Sequence, residues 1–292
     1  MRELTGARLL VELLERQGID TVAGIPGGAA LPIYDALSRS ERIHHVLARH
    51  EQGAGFIAQG MARVTGQPAV CLSSSGPGAT NLLTAIADAQ LDSVPMVCIT
   101  GQVARGAIGT DAFQEVDVYG LTVPITKHNY LVRSAAELLE VIPEAFRIAA
   151  SGRPGPVLVD IPKDVQNEVV TFDDLPDPGD RSPGPQFSPA DVARAAAMIN
   201  AAERPVLYLG GGVIASGASA AAQRLAEKAG IPATSTLMAL GAIPTQHPRS
   251  LGMLGMHGAR YTNFVLEESD LLVVCGARFD DRAIGKAAEF CP

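Results

Sequence analysis

AVCLSSSGPGATN, residues 69–81, passes from five strand-forming residues into a glycine-bearing turn and then into a helix start. Ala69 to Ser73 is apolar and ends without a polar partner face, as a strand buried on both sides requires. Gly76 and Gly78 let the backbone come close to whatever lies above the turn, and Pro77 stiffens it. The same grammar recurs on either side. Strand-like runs are expected at Thr21 to Gly24, Ile43 to Ala48, Val94 to Thr100 and Val157 to Ile161, with helices between several of them. Leu9, Leu10, Leu13 and Leu14 mark the buried face of a helix that Gly18 can stop. Repeated βα units imply a parallel sheet covered on both faces, whose ligands gather at the carboxyl ends of the strands.

The bulk composition narrows the function. The chain has 292 residues, 47% of them hydrophobic and 18% charged, which suits a well-buried α/β protein of two domains. Its net charge of -8 leaves no basic face for nucleic acid or an anionic membrane. The absence of Trp and the 4% aromatic content argue against stacking on single strands. The opening MRELTGARLLVELLERQG is charged and amphipathic rather than a signal peptide, and no run reaches the roughly 18 to 20 apolar residues of a membrane span. The cysteines Cys71, Cys98, Cys275 and Cys291 lack metal-ligand spacing; three lie in apolar runs, as buried reduced thiols of a cytoplasmic protein would.

DDLPDPGDRSPGPQFSP, residues 173–189, holds five prolines and four aspartates and interrupts the rhythm. It reads as an extended linker, with a first domain over 1–172, the linker over 173–187 and a second domain over 188–292. The second domain repeats the style of the first. PVLYLGGG (205–212) is strand and glycine turn, 219–229 a helix, and DLLVVCGARFDDR (270–282) a strand ending in a polar loop. The expected fold is therefore two doubly wound, mainly parallel α/β domains. The run from Gly210, Gly211 and Gly212 to Ala215 fits GxGxxA, yet no acidic residue closes the next strand, so a structural turn, a different nucleotide site and an NAD site all remain open.

Glu51 in HEQGAGFIAQG (50–60) follows a strand and opens a helix rich in small residues. It is either a solvated carboxylate favoured by the helix dipole or a partly desolvated one beside a cofactor that the small residues admit. GIPGG (24–28) and GTDAFQE (109–115) supply two more loops of the same sheet.

Taken in order, GIPGG, ARHEQGAGFIAQGMAR, SSGPGATN, ITGQV, GTDAFQE, PITKHNY, SGRPGPVLVDIPKDVQ, LGGGV, LGMLGMHG and GARFDDR resemble the catalytic large subunit of acetohydroxyacid (acetolactate) synthases, thiamine diphosphate enzymes. The likeness spans essentially all 292 residues. It implies a first domain that binds the cofactor's pyrimidine and a Rossmann-like central domain associated with FAD. Glu51 matches the catalytic glutamate, whose hydrogen bond to the pyrimidine nitrogen favours the tautomer that takes up the thiazolium proton. Gly28, Phe113, Gln114 and Lys163 match positions near the reacting centre: Gln114 as an orienting hydrogen bonder, Phe113 as an apolar wall, and Lys163 with a surface ion pair as its plain alternative. Arg153, Gly210 to Gly212, Thr236, Leu237, His257, Gly258, Gly276, Ala277 and Arg278 match FAD-contacting segments, FAD taking no net redox part.

The implied reaction is decarboxylation of pyruvate and condensation of the product with a second 2-oxoacid, in branched-chain amino-acid synthesis. The implied partners are a homodimer or higher oligomer and a small regulatory subunit. The family's C-terminal domain holds Mg²⁺ and the diphosphate through a GDG-type motif. The only Gly-Asp pair here is Gly179-Asp180, in the linker. The central domain is thus expected to be incomplete and the chain inactive alone. The alternatives are a noncatalytic FAD- or nucleotide-binding or assembly fragment, and another thiamine carboligase or decarboxylase.

Overall fold

Side chains alternate across a strand, and in the first half of the chain both sets are apolar, so each strand needs cover on two sides. The computed structural model describes residues 1–184 and 186–291 and falls into two units, 1–184 and 185–292. The strands of the first are β1 (Arg2–Thr5), β2 (Thr21–Gly24), β3 (His44–Leu47), β4 (Ala69–Ser73), β5 (Met96–Gln102), β6 (His128–Leu131), β7 (Pro156–Pro162) and β8 (Val169–Phe172). Six of them form one sheet in the order β3-β2-β4-β5-β7-β6, every pair parallel. All residues of β4, β5 and β7 are buried, while the edge strands β3 and β6 are partly exposed.

Val97 and Ile99 of β5 enter a core with Leu9, Leu13, Leu138 and Phe146, under the helices Gly6–Arg16 and Leu138–Ala150. Met96 and Cys98 of the same strand face the other way, toward Ala58, Ala62, Leu82 and Ile86 of the helix Glu51–Thr65 and the segment 82–92. Both faces of the sheet are thereby covered, which confirms the doubly wound reading. Cys71 and Cys98 are buried free thiols opposite each other on β4 and β5, and Cys275 and Cys291 are half-buried.

Three strands escape a pattern reading. β6 is HNYL, half polar because it lies at an edge. β1 and β8 pair antiparallel in a separate ribbon, Arg2 opposite Phe172, with alternating exposure too short to stand out. From Asp173 to Ser188 no helix or strand is described. The first part of this segment is nevertheless fastened to the first unit. Arg16 pairs with Asp177 at 3.3 Å, Gln17 accepts from the Gly179 amide at 2.9 Å, and Leu175 packs on the main core. Contacts divide the chain at 184/185.

The second unit carries β9 (Pro205–Leu209), β10 (Ala233–Ser235), β11 (Ser250–Met253) and β12 (Leu271–Cys275), in the parallel order β11-β10-β9-β12. Leu207 and Leu209 pack toward the helix Ser219–Ala229, and Val206 and Tyr208 toward Leu266 of the helix Arg260–Glu267. No helix among the described residues is long and apolar enough to cross a membrane.

Gly101 of β5 marks how tightly the rim of the first sheet is closed. A Cβ there would strike the Ala29 carbonyl, which belongs to backbone and has no rotamer to yield. Gly101→Ala should lower the stability of the first unit by about 1–3 kcal/mol, the usual range for overpacking, as read by urea denaturation; unchanged stability would mean that the two segments separate freely.

Candidate active site

Parallel strands deliver all their following loops to one rim. Gly28 follows β2, Glu51 follows β3, the Ser74–Gly78 turn follows β4, Phe113 and Gln114 follow β5, and Lys163 follows β7. Direct contacts join several of these loops. The Ser74 hydroxyl accepts from the Ala29 amide at 3.2 Å. Asn81, five residues past Gly76, donates its amide to Glu51 Oε2 at 2.9 Å. The Gln114 backbone presses on Gly76, where an added Cβ would meet its Cα at 2.8 Å.

Glu51 is the first residue of the helix Glu51–Thr65, and His50 caps that helix by accepting from the Gln52 amide at 3.1 Å. The carboxylate is half-buried. Asn81 holds one oxygen, while Oε1 has no protein donor among the described residues. It faces Gly78, where a Cβ would stand 3.5 Å away. Two of the small residues of this helix serve its packing. Gly55 abuts Ala85, with 2.6 Å between its would-be Cβ and the Ala85 methyl, and Ala54 packs near Ala23 and Ala48. Their size lets the helix approach its neighbours; Gly53 faces open space.

Gly28 also faces open space. Phe113 is 87% exposed, so its ring forms no wall with this chain's own residues. Gln114 takes φ +56 and Asp111 φ +55, a left-handed backbone that non-glycine residues adopt only when their surroundings enforce it. Lys163 opens the short helix Lys163–Asn167, but the ion pair to Arg105 is made by its neighbour Asp164, at 2.7 Å.

Two neighbours of Glu51 went unnoticed in the sequence. Asn81 sits inside the SSSGPGATN motif, and its role is visible only when the helix after β4 is set beside the helix after β3. Tyr34 is the other. Its hydroxyl is buried without a hydrogen-bond partner among the described residues, and burial first, then Cys71 and Glu51, raise its pKa.

In the second unit the expected FAD residues also collect at one carboxyl rim: Gly210 to Gly212 after β9, Thr236 and Leu237 after β10, His257 and Gly258 after β11, and Gly276 to Arg278 after β12. The glycine turn is partly used up by the fold. The Gly210 amide donates to Cys275 at 2.8 Å and that of Gly212 to Gly276 at 3.0 Å. Gly276, at φ +64, lies against Gly212 and Val213. Two of the three amides of the turn thus close β9 onto β12. Leu237 is 68% exposed at the rim, and Arg278 lies 3.9 Å from Asp280. Arg153 stands apart from the Glu51 site. It precedes β7, at the amino end of the first sheet, and its guanidinium holds Ser93 Oγ at 2.7 Å and the Leu91 carbonyl at 2.9 Å.

Residues 4–121 match the family described as thiamine pyrophosphate enzyme, N-terminal TPP binding domain, and residues 192–292 match thiamine pyrophosphate enzyme, central domain. The chain belongs to the thiamine pyrophosphate enzymes. It is 65% identical over 291 residues to the acetolactate synthase isozyme 1 large subunit of Escherichia coli K12, covering all of this chain and 51% of that protein. It is 55% identical to an acetolactate synthase of Mycobacterium bovis, covering 100% of this chain and 48% of the relative. The acetolactate synthase large subunit of Parasynechococcus marenigrum is 53% identical, with 99% and 48% covered. The chain therefore spans about half the length of the curated relatives it matches.

One more acid of this thiamine pyrophosphate enzyme chain lies beneath the rim. Asp160 of β7 is 1% exposed, directly opposite Thr100 of β5. Thr100 Oγ1 lies 2.6 Å from Asp160 Oδ1, and Gln102 Nε2 donates to Oδ2 at 3.0 Å. Burial pushes its carboxyl from 3.8 up to about 7 and nearby Asp117 adds to this, against the lowering by the two hydrogen bonds. A tenfold change in proton affinity is worth about 1.4 kcal/mol, so the penalty on the ionised form is of the order of 4 kcal/mol.

Between pH 4 and 7 the unfolded chain has released a proton that the folded chain keeps, so stability falls as pH rises through this window and levels off above it. Asp160→Asn presents the same shape as the protonated acid, its amide donating to Thr100 and its oxygen accepting from Gln102. Urea denaturation should show that slope flattened in the variant, which at pH 8 should be more stable than the parent by up to about 4 kcal/mol. An unchanged pH profile would place the titration elsewhere.

Proposed function

We propose that this chain supplies the Glu51 side of an acetolactate synthase active site. The first unit serves as the pyrimidine-binding domain, and residues 173–187 link it to a FAD-associated Rossmann-like domain over 188–292. The observation that carries the reading is the carboxylate pair of environments: one Glu51 oxygen tied to Asn81, the other free above a glycine turn. A carboxyl group so held can share a proton with a ring nitrogen placed against Oε1 while Asn81 keeps it from turning away.

The residues fit thiamine pyrophosphate in that Gly78 leaves Oε1 unobstructed and Gly28, after β2, faces open space. When bound, the cofactor supplies the carbon nucleophile and electron sink for decarboxylation of a 2-oxoacid. Gln114 would orient pyruvate or the second 2-oxoacid through its amide, Phe113 would shield the reacting carbon from water, and the ammonium of Lys163 would favour an anionic substrate. These residues contain no Gly-Asp-Gly motif, so Mg²⁺ and the diphosphate would be held from outside this stretch. FAD would lie along Thr236, Leu237, His257, Gly258 and Arg278 of the second unit, without net redox change.

The product would feed branched-chain amino-acid synthesis in the cytoplasm. A second copy and a small regulatory subunit are the expected partners; relatives named as large subunits support the latter.

In the protein extended to the full length of its relatives, Glu51→Gln should lower acetolactate formation from pyruvate by about 10²- to 10⁴-fold, the usual worth of positioned proton transfer. Undiminished turnover would falsify the role. A second reading, a noncatalytic nucleotide-binding module, draws on the ordered glycine rim of the second unit. FAD binding without thiamine pyrophosphate binding, by separate titrations of the full-length protein, would favour it.

A further inference from the structure

The loop between β5 and the helix Val118–Thr122 carries Phe113 and Gln114, and it needs a reason to hold a strained shape. Gly109, Asp111 and Gln114 all have left-handed backbones within six residues. Its internal bonds are few and local, Thr110 to Ala107 at 2.7 Å and Glu115 to Ala112 at 2.9 Å. Two hydrogen-bonded anchors hold its ends. At its start the Arg105 amide and guanidinium bind Asp164, with Glu168 at 3.0 Å from the same guanidinium. That pair is largely solvent-exposed, and water screens such an ion pair until it holds little.

The anchor at the far end is of another kind. Gln102 Nε2 donates one hydrogen to Asp160 Oδ2 and the other to the Val116 carbonyl, each at 3.0 Å, and its Oε1 accepts from the Val103 amide at 2.9 Å. Both hydrogens and the oxygen of that amide are engaged, so it cannot turn without losing three bonds at once. Gln102 is 2% exposed, and stranding the groups it pairs would leave buried polar atoms unsatisfied. We propose that Gln102 and Asp160 are positioning residues, a buried clamp that sets the conformation of the 103–117 loop and so the placement of Phe113 and Gln114.

The division of labour within the clamp follows from its donors. An amide NH₂ can only donate, whereas the Thr100 hydroxyl can donate or accept. A proton on Asp160 therefore settles on the Oδ1 side, facing Thr100, and leaves Oδ2 free to accept from Gln102. The loop stays clamped in both protonation states.

That Phe113 and Gln114 face substrate rests on the function proposed above; that the clamp holds their loop does not. Chymotrypsin, which cuts after exposed Phe113, reads the loop directly in this chain under native conditions. Gln102→Met keeps the bulk and removes both donors, and should speed cleavage at Phe113 at least tenfold. Thr100→Val removes a partner of the same carboxyl that never touches the loop, and should leave that rate within about twofold even where it lowers stability. Should Gln102→Met not fold, Gln102→Asn retains an amide one carbon too short to reach Asp160 and Val116 together, and should give the same acceleration. Cleavage within twofold of the parent in the Gln102 variants, or an equal acceleration in Thr100→Val, overturns the clamp. Neither outcome bears on Glu51, whose role is read by turnover.

Discussion

Backbone meets backbone at the carboxyl edge of the six-stranded sheet, and the chemistry of the rim depends on that proximity. Gly101 lies under the Ala29 carbonyl, Gly27 against Ser74, and Gly76 against Gln114. Side chains at those points would hold the loops apart by the width of a methyl group or more. With them absent, the turns after β2 and β4 share a hydrogen bond, and the loop after β5 rests on the turn after β4. Glu51 then has Asn81 within reach although 30 residues separate them. Glycine here is a spacing device between neighbouring loops before it is anything for a ligand.

Much of this was legible in the sequence. Strands buried on both faces read as unbroken apolar runs, so β2, β4, β5 and β7 announce themselves along with the parallel, doubly wound class. What stayed hidden lies where burial is one-sided or polar. β6 is half hydrophilic because nothing pairs with its outer edge. The β1–β8 ribbon joins residues as far apart as Arg2 and Phe172 through four-residue segments, a long-range pairing that no local periodicity encodes. Asp160 sat unremarked inside the apolar run VLVDIP. Its partners Thr100 and Gln102 come from a different strand, and only the register of β5 on β7 sets them opposite it.

The second unit teaches the reverse lesson. Its glycine-rich turn fits a nucleotide fingerprint, yet much of its freedom is spent inside the protein, closing β9 onto β12 through Gly276. A motif defined by missing side chains reports close approach without saying what approaches. Arg153 is a parallel case: a cation that the resemblance sets among FAD-contacting segments also ties down the end of the helix Leu83–Asp92.

The contact of Gly55 with Ala85 gives the acid a fulcrum. Glu51 lies about one turn before that contact on the same rigid rod, and the carboxylate points wherever the rod points. Aliphatic packing one turn along the same face of the helix is therefore a matter of aim. Crowding at the fulcrum would swing the muzzle end through a larger arc than the displacement that caused it. The direction of the Glu51 carboxylate is thus underwritten by two small residues, Gly55 and Ala85, packed one turn away.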